Sequence, residues 1–165
     1  MPEMVFNTSP VQYLYQLGLI DCLHSLYGKI YIPEEVVLEI ERGKEEGIEL
    51  PEIKQLSFVE KLSSKTMTFS QLVRDLGKGE TAVILHGLET SDSIVVLDDL
   101  LARKIAIELG VKLTGTAGIL IAAKSNGLID KVYPYLDKME RLGFYLAPEH
   151  KSLILKKANE DKTEY

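Results

Sequence analysis

The stretch SIVVLDDLLARKIAIELGVKLTGT, residues 93–116, decides the fold. Its first part, SIVVLDD, is a β-rich run that ends in two acids, Asp98 and Asp99. LLARKIAIELG then places apolar residues at helical spacing and closes at Gly110, and VKLTGT reads as a second strand. Two strands joined by a helix of this length predict parallel pairing, because the crossover returns the chain to the same end of the sheet.

Working outward, the same alternation recurs. Met4-Val5-Phe6 reads as a short buried strand that stops at Asn7-Thr8-Ser9-Pro10. Ser9-Pro10 offers an N-cap followed by proline at the first helical position, and Val11, Leu14, Tyr15 and Leu17 form an apolar stripe that ends at Gly18. LIDCLHSLYG is a second short helix, KIYI a strand, and Pro33 opens the helix PEEVVLEIERGKEEG. In the middle, LSFVEKLSS predicts a strand, TFSQLVRDLG a short helix and GKGETAVILHGLET a longer one. AGILIAAKSNG and IDKVYPYLDKMERLG are helices, and PEHKSLILKKANEDKTEY is a terminal helix running into a charged tail. The alternation predicts an α/β fold with a mostly parallel sheet covered on both faces. One domain is expected over residues 1–147, with 148–165 as its terminal helix and tail.

Composition narrows the class. With 165 residues, 45% hydrophobic and 27% charged, the chain has ordinary globular composition. No apolar run approaches the ~20 residues that span a bilayer. Glu3 stands where a secretion signal carries positive charge, so a cytoplasmic location is expected. The net charge of −6 argues against a broad nonspecific nucleic-acid binder, while leaving room for a small basic face or a metal that presents phosphate. A single cysteine, Cys22, permits neither an internal disulfide nor a thiolate cluster, and reads as packing.

In open parallel sheets, ligands bind outside the carboxyl ends of the strands. Here those ends are Asn7-Thr8-Ser9, Asp98-Asp99 and Thr114-Gly115-Thr116. Two acids on helices join them: Glu39, beside Val36 and Ile40, and Glu80, after Gly77-Lys78-Gly79. Converging carboxylates repel unless neutralised, and a hard divalent cation such as Mg²⁺ or Mn²⁺ neutralises them with oxygen ligands. Every one of these residues also has a structural reading. Asp98 and Asp99 suit a helix cap, with Arg103 at i+4 from Asp99 as a surface ion pair. Glu80 suits a first helical turn, Glu39 the solvated face of a helix with Glu34, Glu35 and Glu41, and Asn7 and Ser9 a turn. His24, His86 and His150 have no site-like spacing, and GKG lacks the pattern of a phosphate loop.

The order of the pieces favours the site reading. From NTSPVQYLYQLGLIDCLHSLYGKIYIPEEVVLEI through GKGETAVILHGLE and IVVLDDLLARKIAIELGVKLTGTAGILIAAKSNGLI to YLDKMERLGFYL, the chain resembles the PIN-domain family. The resemblance is to its DUF3368-type subgroup, relatives of the VapC toxin ribonucleases. It implies a three-layer α/β/α sandwich with an acid cluster that binds one or two Mg²⁺ or Mn²⁺ ions and directs water at an RNA phosphodiester. Carried over by position, Asn7, Glu39, Glu80 and Asp99 are catalytic, and Asn7, Glu80, Asp98 and Asp99 hold metal. Ser9, Arg103 and Thr116 then face substrate or water.

RNA, a small antitoxin protein and a second copy of the chain are the implied partners, with no membrane. Exposed apolar residues of the first helices, such as Tyr13 and Tyr15, are candidates for the dimer contact. One departure stands out: members usually carry Asp where this chain has Asn7. An amide oxygen still coordinates a hard cation, but one negative charge is lost. Two functions follow from the resemblance, a metal-dependent ribonuclease with a weakened site and an impaired PIN fold that binds RNA or protein. A third reading, an acid-rich α/β phosphatase or receiver-like domain, lacks its nucleophile: Asn7 cannot serve where such phosphatases need Asp.

Overall fold

The computed structural model describes residues 1–63 and 75–160. The chain divides into two compact units, Met1–Gly115 and Thr116–Tyr165.

The first unit is built on a five-stranded sheet. Its strands are β1 (Glu3–Phe6), β2 (Ile30–Pro33), β3 (Val59–Leu62), β4 (Ser93–Val96) and β5 (Leu113–Thr114). The order is β3-β2-β1-β4-β5, and every pairing is parallel, with Val5 opposite Tyr31 and Phe6 opposite Val96. Met4, Val5, Phe6, Ile30, Ile32, Val95, Val96 and Leu97 are all buried. Consecutive buried residues, interrupted only by half-buried Tyr31 and Ile94, mark strands covered on both faces, which is why these segments read as solid apolar runs. The edge strand β3 exposes Glu60 and Lys61, charges that discourage pairing with another chain.

The helices of this unit are α1 (Thr8–Gln16), α2 (Cys22–Tyr27), α3 (Glu34–Glu45), α4 (Lys78–Glu89) and α5 (Leu100–Glu108). α4 packs on β1, β2 and β4 and against α3, which in turn meets α1. The chain steps outward from β1 through β2 to β3, then re-enters on the other side of β1 as β4 and continues to β5. The carboxyl ends of β1 and β4 therefore flank the point where strand order reverses, the place where open α/β sheets bind ligands. Asn7 and Leu97-Asp98-Asp99 follow directly on those ends.

Some local expectations shift. α1 starts at Thr8 with Asn7 as its N-cap, not at Pro10 after Ser9. Pro10 thereby sits in the first turn, where a backbone N–H has no intrahelical acceptor to lose. Pro33 ends β2, and α3 begins at Glu34. Tyr13 and Tyr15, expected to be exposed, are half-buried. The helix expected over TFSQLVRDLG falls almost wholly outside the described residues.

The second unit contains α6 (Thr116–Ser125), α7 (Tyr133–Arg141) and α8 (Pro148–Lys157), with α6 packed on α8. Past α8, the carboxylate of Glu160 accepts hydrogen bonds from the Val132 and Tyr133 N–H groups at 2.7 and 3.0 Å and from Lys124 Nζ at 3.1 Å. Those donors tie the end of the described chain to the start of α7. Among the described residues no helix is long and apolar enough to cross a membrane.

Phe6 is fully buried at the end of the central strand. Truncating it leaves a cavity in the core on the face its ring fills, so Phe6→Ala is expected to lower unfolding free energy by about 3–5 kcal/mol in urea titrations. A loss below about 1 kcal/mol would contradict its place in the core.

Candidate functional site

The first turn after β1 organises the site. Asn7 N–H donates to Val96 O at 3.1 Å, which holds the turn against the end of β4. The Asn7 side chain is 5% exposed, and its Oδ1 has no hydrogen-bond partner among the described residues. A buried acceptor left unsatisfied costs on the order of 1–3 kcal/mol, so it marks a position meant to meet something else. The next two residues point their hydroxyls at different acids. Thr8 Oγ1 donates to Glu39 Oε2 at 2.7 Å, and Ser9 Oγ donates to Asp98 Oδ2 at 3.1 Å.

Glu39, on α3, is held at both oxygens, because its Oε1 accepts the Gly79 N–H at 3.0 Å. A Cβ on Gly79 would lie 2.7 and 2.8 Å from the two carboxylate oxygens. The glycine is therefore needed for α4 to begin this close to α3, and GKG is more than a helix breaker. One residue on, Glu80 Oε2 accepts the Gly77 N–H at 3.3 Å and helps cap α4. Burial pushes the Glu80 carboxyl above its ordinary range, and the charges of Asp99 and Glu39 push it further, against a lowering pull from the Gly77 N–H. Asp99 caps α5 through Oδ2, which accepts the Ala102 N–H at 2.9 Å, and is otherwise exposed.

Arg103 is turned onto the backbone: its Nη1 donates to Leu97 O at 2.7 Å. A Cβ on Gly115 would stand 2.8 Å from that Nη1, 3.0 Å from Asp98 Oδ1 and 3.3 Å from Leu97 O. Gly115 thus leaves room for the guanidinium, the carboxylate and the carbonyl to gather at one spot. Tyr13 is half-buried nearby, its hydroxyl pKa raised by burial and by the negative charge of Asp98. Thr116 is fully buried and opens α6 in the second unit.

Hydrogen bonds and electrostatic coupling thus join Ser9 to Asp98, with Arg103 beside it, and Thr8, Glu39, Glu80 and Asp99 to one another, while Asn7 is tied to both groups through the chain as the residue before Thr8 and Ser9. Thr8, Tyr13, Gly79 and Gly115 belong to the same surroundings and were not singled out as site residues from the sequence. Tyr13 had a signal there, since it lies four residues after Ser9 on one face of a helix. Thr8 and Gly115 had the signal of lying at strand ends, whereas Gly79 had none, because only the approach of the distant Glu39 carboxylate gives it meaning.

Among the described residues no three His, Cys, Asp or Glu side chains are drawn together as a metal cluster. The donor set is nonetheless suited to a hard cation. Glu80 and Asp99 each commit one oxygen to a backbone N–H and leave the other without a partner among the described residues. Asn7 adds a bare, buried amide oxygen, and all of these are oxygen donors of the kind Mg²⁺ and Mn²⁺ take.

The molecule is thus an α/β protein whose parallel sheet gathers acids at its switch point. It belongs to the DUF3368 family, a PIN domain, which it matches over residues 3–160. Its fold is accordingly of the PIN type, a three-layer α/β/α arrangement of the nuclease class, and PIN domains generally use divalent metal ions. No curated protein matches the chain.

The raised Glu80 carboxyl has a consequence for stability. A folded-state pKa above the unfolded value means that the folded protein keeps a proton the unfolded chain gives up, so this contribution to stability is complete below the unfolded pKa and falls as pH rises through the folded one. Glu80→Gln is expected to remove the part of the decline that begins near 4.5, read as the difference between the two pH profiles of unfolding free energy. Superimposable profiles would contradict a Glu80 carboxyl raised by its burial and its acidic neighbours.

Proposed function

We propose that this protein is a metal-dependent endoribonuclease of PIN type, with a site weakened by the amide at Asn7. The observation that carries the reading is the buried Oδ1 of Asn7, without a partner among the described residues, at the switch point of the sheet beside the turn that holds Glu39 and Asp98. In this reading Asn7 Oδ1, Glu80 and Asp99 hold a Mg²⁺ or Mn²⁺ ion. When bound, such an ion stabilises charge on a phosphodiester under attack and lowers the pKa of a water. The chain's own groups do the rest. Glu80 and Asp99 stay fixed at their helix starts by the Gly77 and Ala102 N–H groups, so the oxygens they present are pre-oriented. Asp98, expected from the sequence as a ligand, is taken up by Ser9 and stands behind them. Arg103 keeps further N–H donors beyond the one given to Leu97 O, and its positive charge softens the approach of a phosphate to an acidic edge.

A second reading has its own support. Asn7 supplies one charge fewer than the Asp usual in the family, which weakens ion binding and leaves an impaired PIN fold that binds RNA or protein. Under either reading the proposed setting is cytoplasmic, with RNA as ligand, a small antitoxin as partner, a toxin-antitoxin role and a homodimer as the assembly.

The test is cleavage of a pool of single-stranded and structured RNA by wild type, Asn7→Asp and Asp99→Ala, each with Mg²⁺, Mn²⁺ or EDTA. Metal-dependent cleavage by wild type, silence from Asp99→Ala and a gain of about tenfold in Asn7→Asp are expected. Cleavage by Asn7→Asp alone transfers the assignment to the binding role, and cleavage by wild type that persists in EDTA or in Asp99→Ala contradicts the enzyme.

A further inference from the structure

We infer that the acids of this edge divide into a positioning pair, Glu39 and Asp98, which clasps the Thr8-Ser9 turn, and an open pair, Glu80 and Asp99. The division is read from what each carboxylate oxygen already holds. Glu39 accepts Thr8 Oγ1 on one oxygen at 2.7 Å and the Gly79 N–H on the other at 3.0 Å, so both of its oxygens are already engaged and its orientation is fixed from two sides. Asp98 accepts Ser9 Oγ on Oδ2, while its Oδ1 faces the spot shared by Arg103 Nη1 and Leu97 O beside Gly115. Glu80 and Asp99 are bonded differently. Each gives a single oxygen to the first turn of its own helix and leaves the other without a partner among the described residues.

The sequence positions make the clasp geometrically economical. Thr8 and Ser9 are consecutive, yet one reaches α3 and the other the end of β4, 31 and 89 residues away. The turn is therefore pinned from two sides, and Asn7, immediately before it, has its backbone fixed to Val96 as well. A turn held at three successive residues keeps the Asn7 amide oxygen in place although none of the described residues bonds to it. On this account Glu39 and Asp98 are positioning residues, and the amide analogues keep the clasp: in Glu39→Gln the amide carbonyl can accept the Gly79 N–H while its NH₂ donates to Thr8 Oγ1, and in Asp98→Asn the side chain can bond the Ser9 hydroxyl through its carbonyl or its NH₂.

The ion half of this division rests on the proposed function, and the clasp half stands without it, so the experiment reads them separately. Thermal melts of metal-free protein form two double-mutant cycles, Thr8→Val with Glu39→Ala and Ser9→Ala with Asp98→Ala. In each cycle the double variant is expected to lose clearly less than the sum of the single losses. Additive losses in both cycles overturn the clasp. In parallel, electron paramagnetic titration with Mn²⁺ compares Glu39→Gln, Asp98→Asn, Glu80→Gln and Asp99→Asn. The first two are expected to stay within about threefold of wild-type affinity and the last two to fall by about tenfold or more, and an equal fall in all four overturns the division. Wild type that takes up no Mn²⁺ overturns the proposed ion centre, while the melts still decide the clasp.

Discussion

The bond from Thr8 to Glu39 and the bond from Ser9 to Asp98 are the constraint on which the site depends. β1 is the central strand, and its last residue, Phe6, is buried and paired in register with Val96 of β4. A strand fixed that firmly delivers Asn7 to one place. The two hydroxyls then decide which way the chain leaves the sheet, by giving α1 one anchor on α3 and another at the end of β4. Without them the first turn of α1 would present ordinary capping groups to solvent, and the acids on α3 and β4 would lack a common partner.

Electrostatics explains why this edge tolerates so many carboxylates. Glu39 and Asp98 are neutralised in part by hydroxyl and N–H donors and by the nearby guanidinium of Arg103. Asp99 gains from the N-terminal end of α5, where helix dipoles favour negative charge. Glu80 is left worst off, half-buried and repelled by its neighbours, which raises its carboxyl. Asn7 fits this picture as a buried neutral group directly before the turn that Glu39 and Asp98 hold: the amide avoids one more buried charge in the metal-free protein, and the same choice lowers the attraction for a cation in the proposed reading. The residue that relieves the fold is the one that weakens the proposed chemistry.

Much of the architecture was legible in the sequence. Buried strands such as Met4–Phe6 and Ser93–Val96 show as apolar runs because both faces are covered, and the helices between them follow from apolar spacing and terminal glycines. The sheet order β3-β2-β1-β4-β5 was not legible, since nothing local tells β4 to pair with β1. The start of α1 was misread for a similar reason. Ser9 looks like an N-cap, but its hydroxyl is spent on an aspartate 89 residues away, and capping rules see only the neighbouring backbone. Glu39, one of several acids on its helix, resembles a solvated residue until Thr8 and Gly79 are found at its two oxygens. Tyr13 was assigned to an exposed face for the same lack of long-range information, although it stands half-buried within reach of the Asp98 charge.

In the proposed reading the Asn7 oxygen, which has no hydrogen-bond partner among the described residues, occupies a place suited to a carboxylate and a cation together. Melting curves of wild type and Asn7→Asp, with and without Mn²⁺, address it most directly. The account predicts that Asn7→Asp is the less stable protein without metal, because a buried charge is added among acids, and that Mn²⁺ raises its melting temperature well beyond the gain seen in wild type. An Asn7→Asp protein that melts with wild type in the absence of metal and gains no more from Mn²⁺ would contradict it.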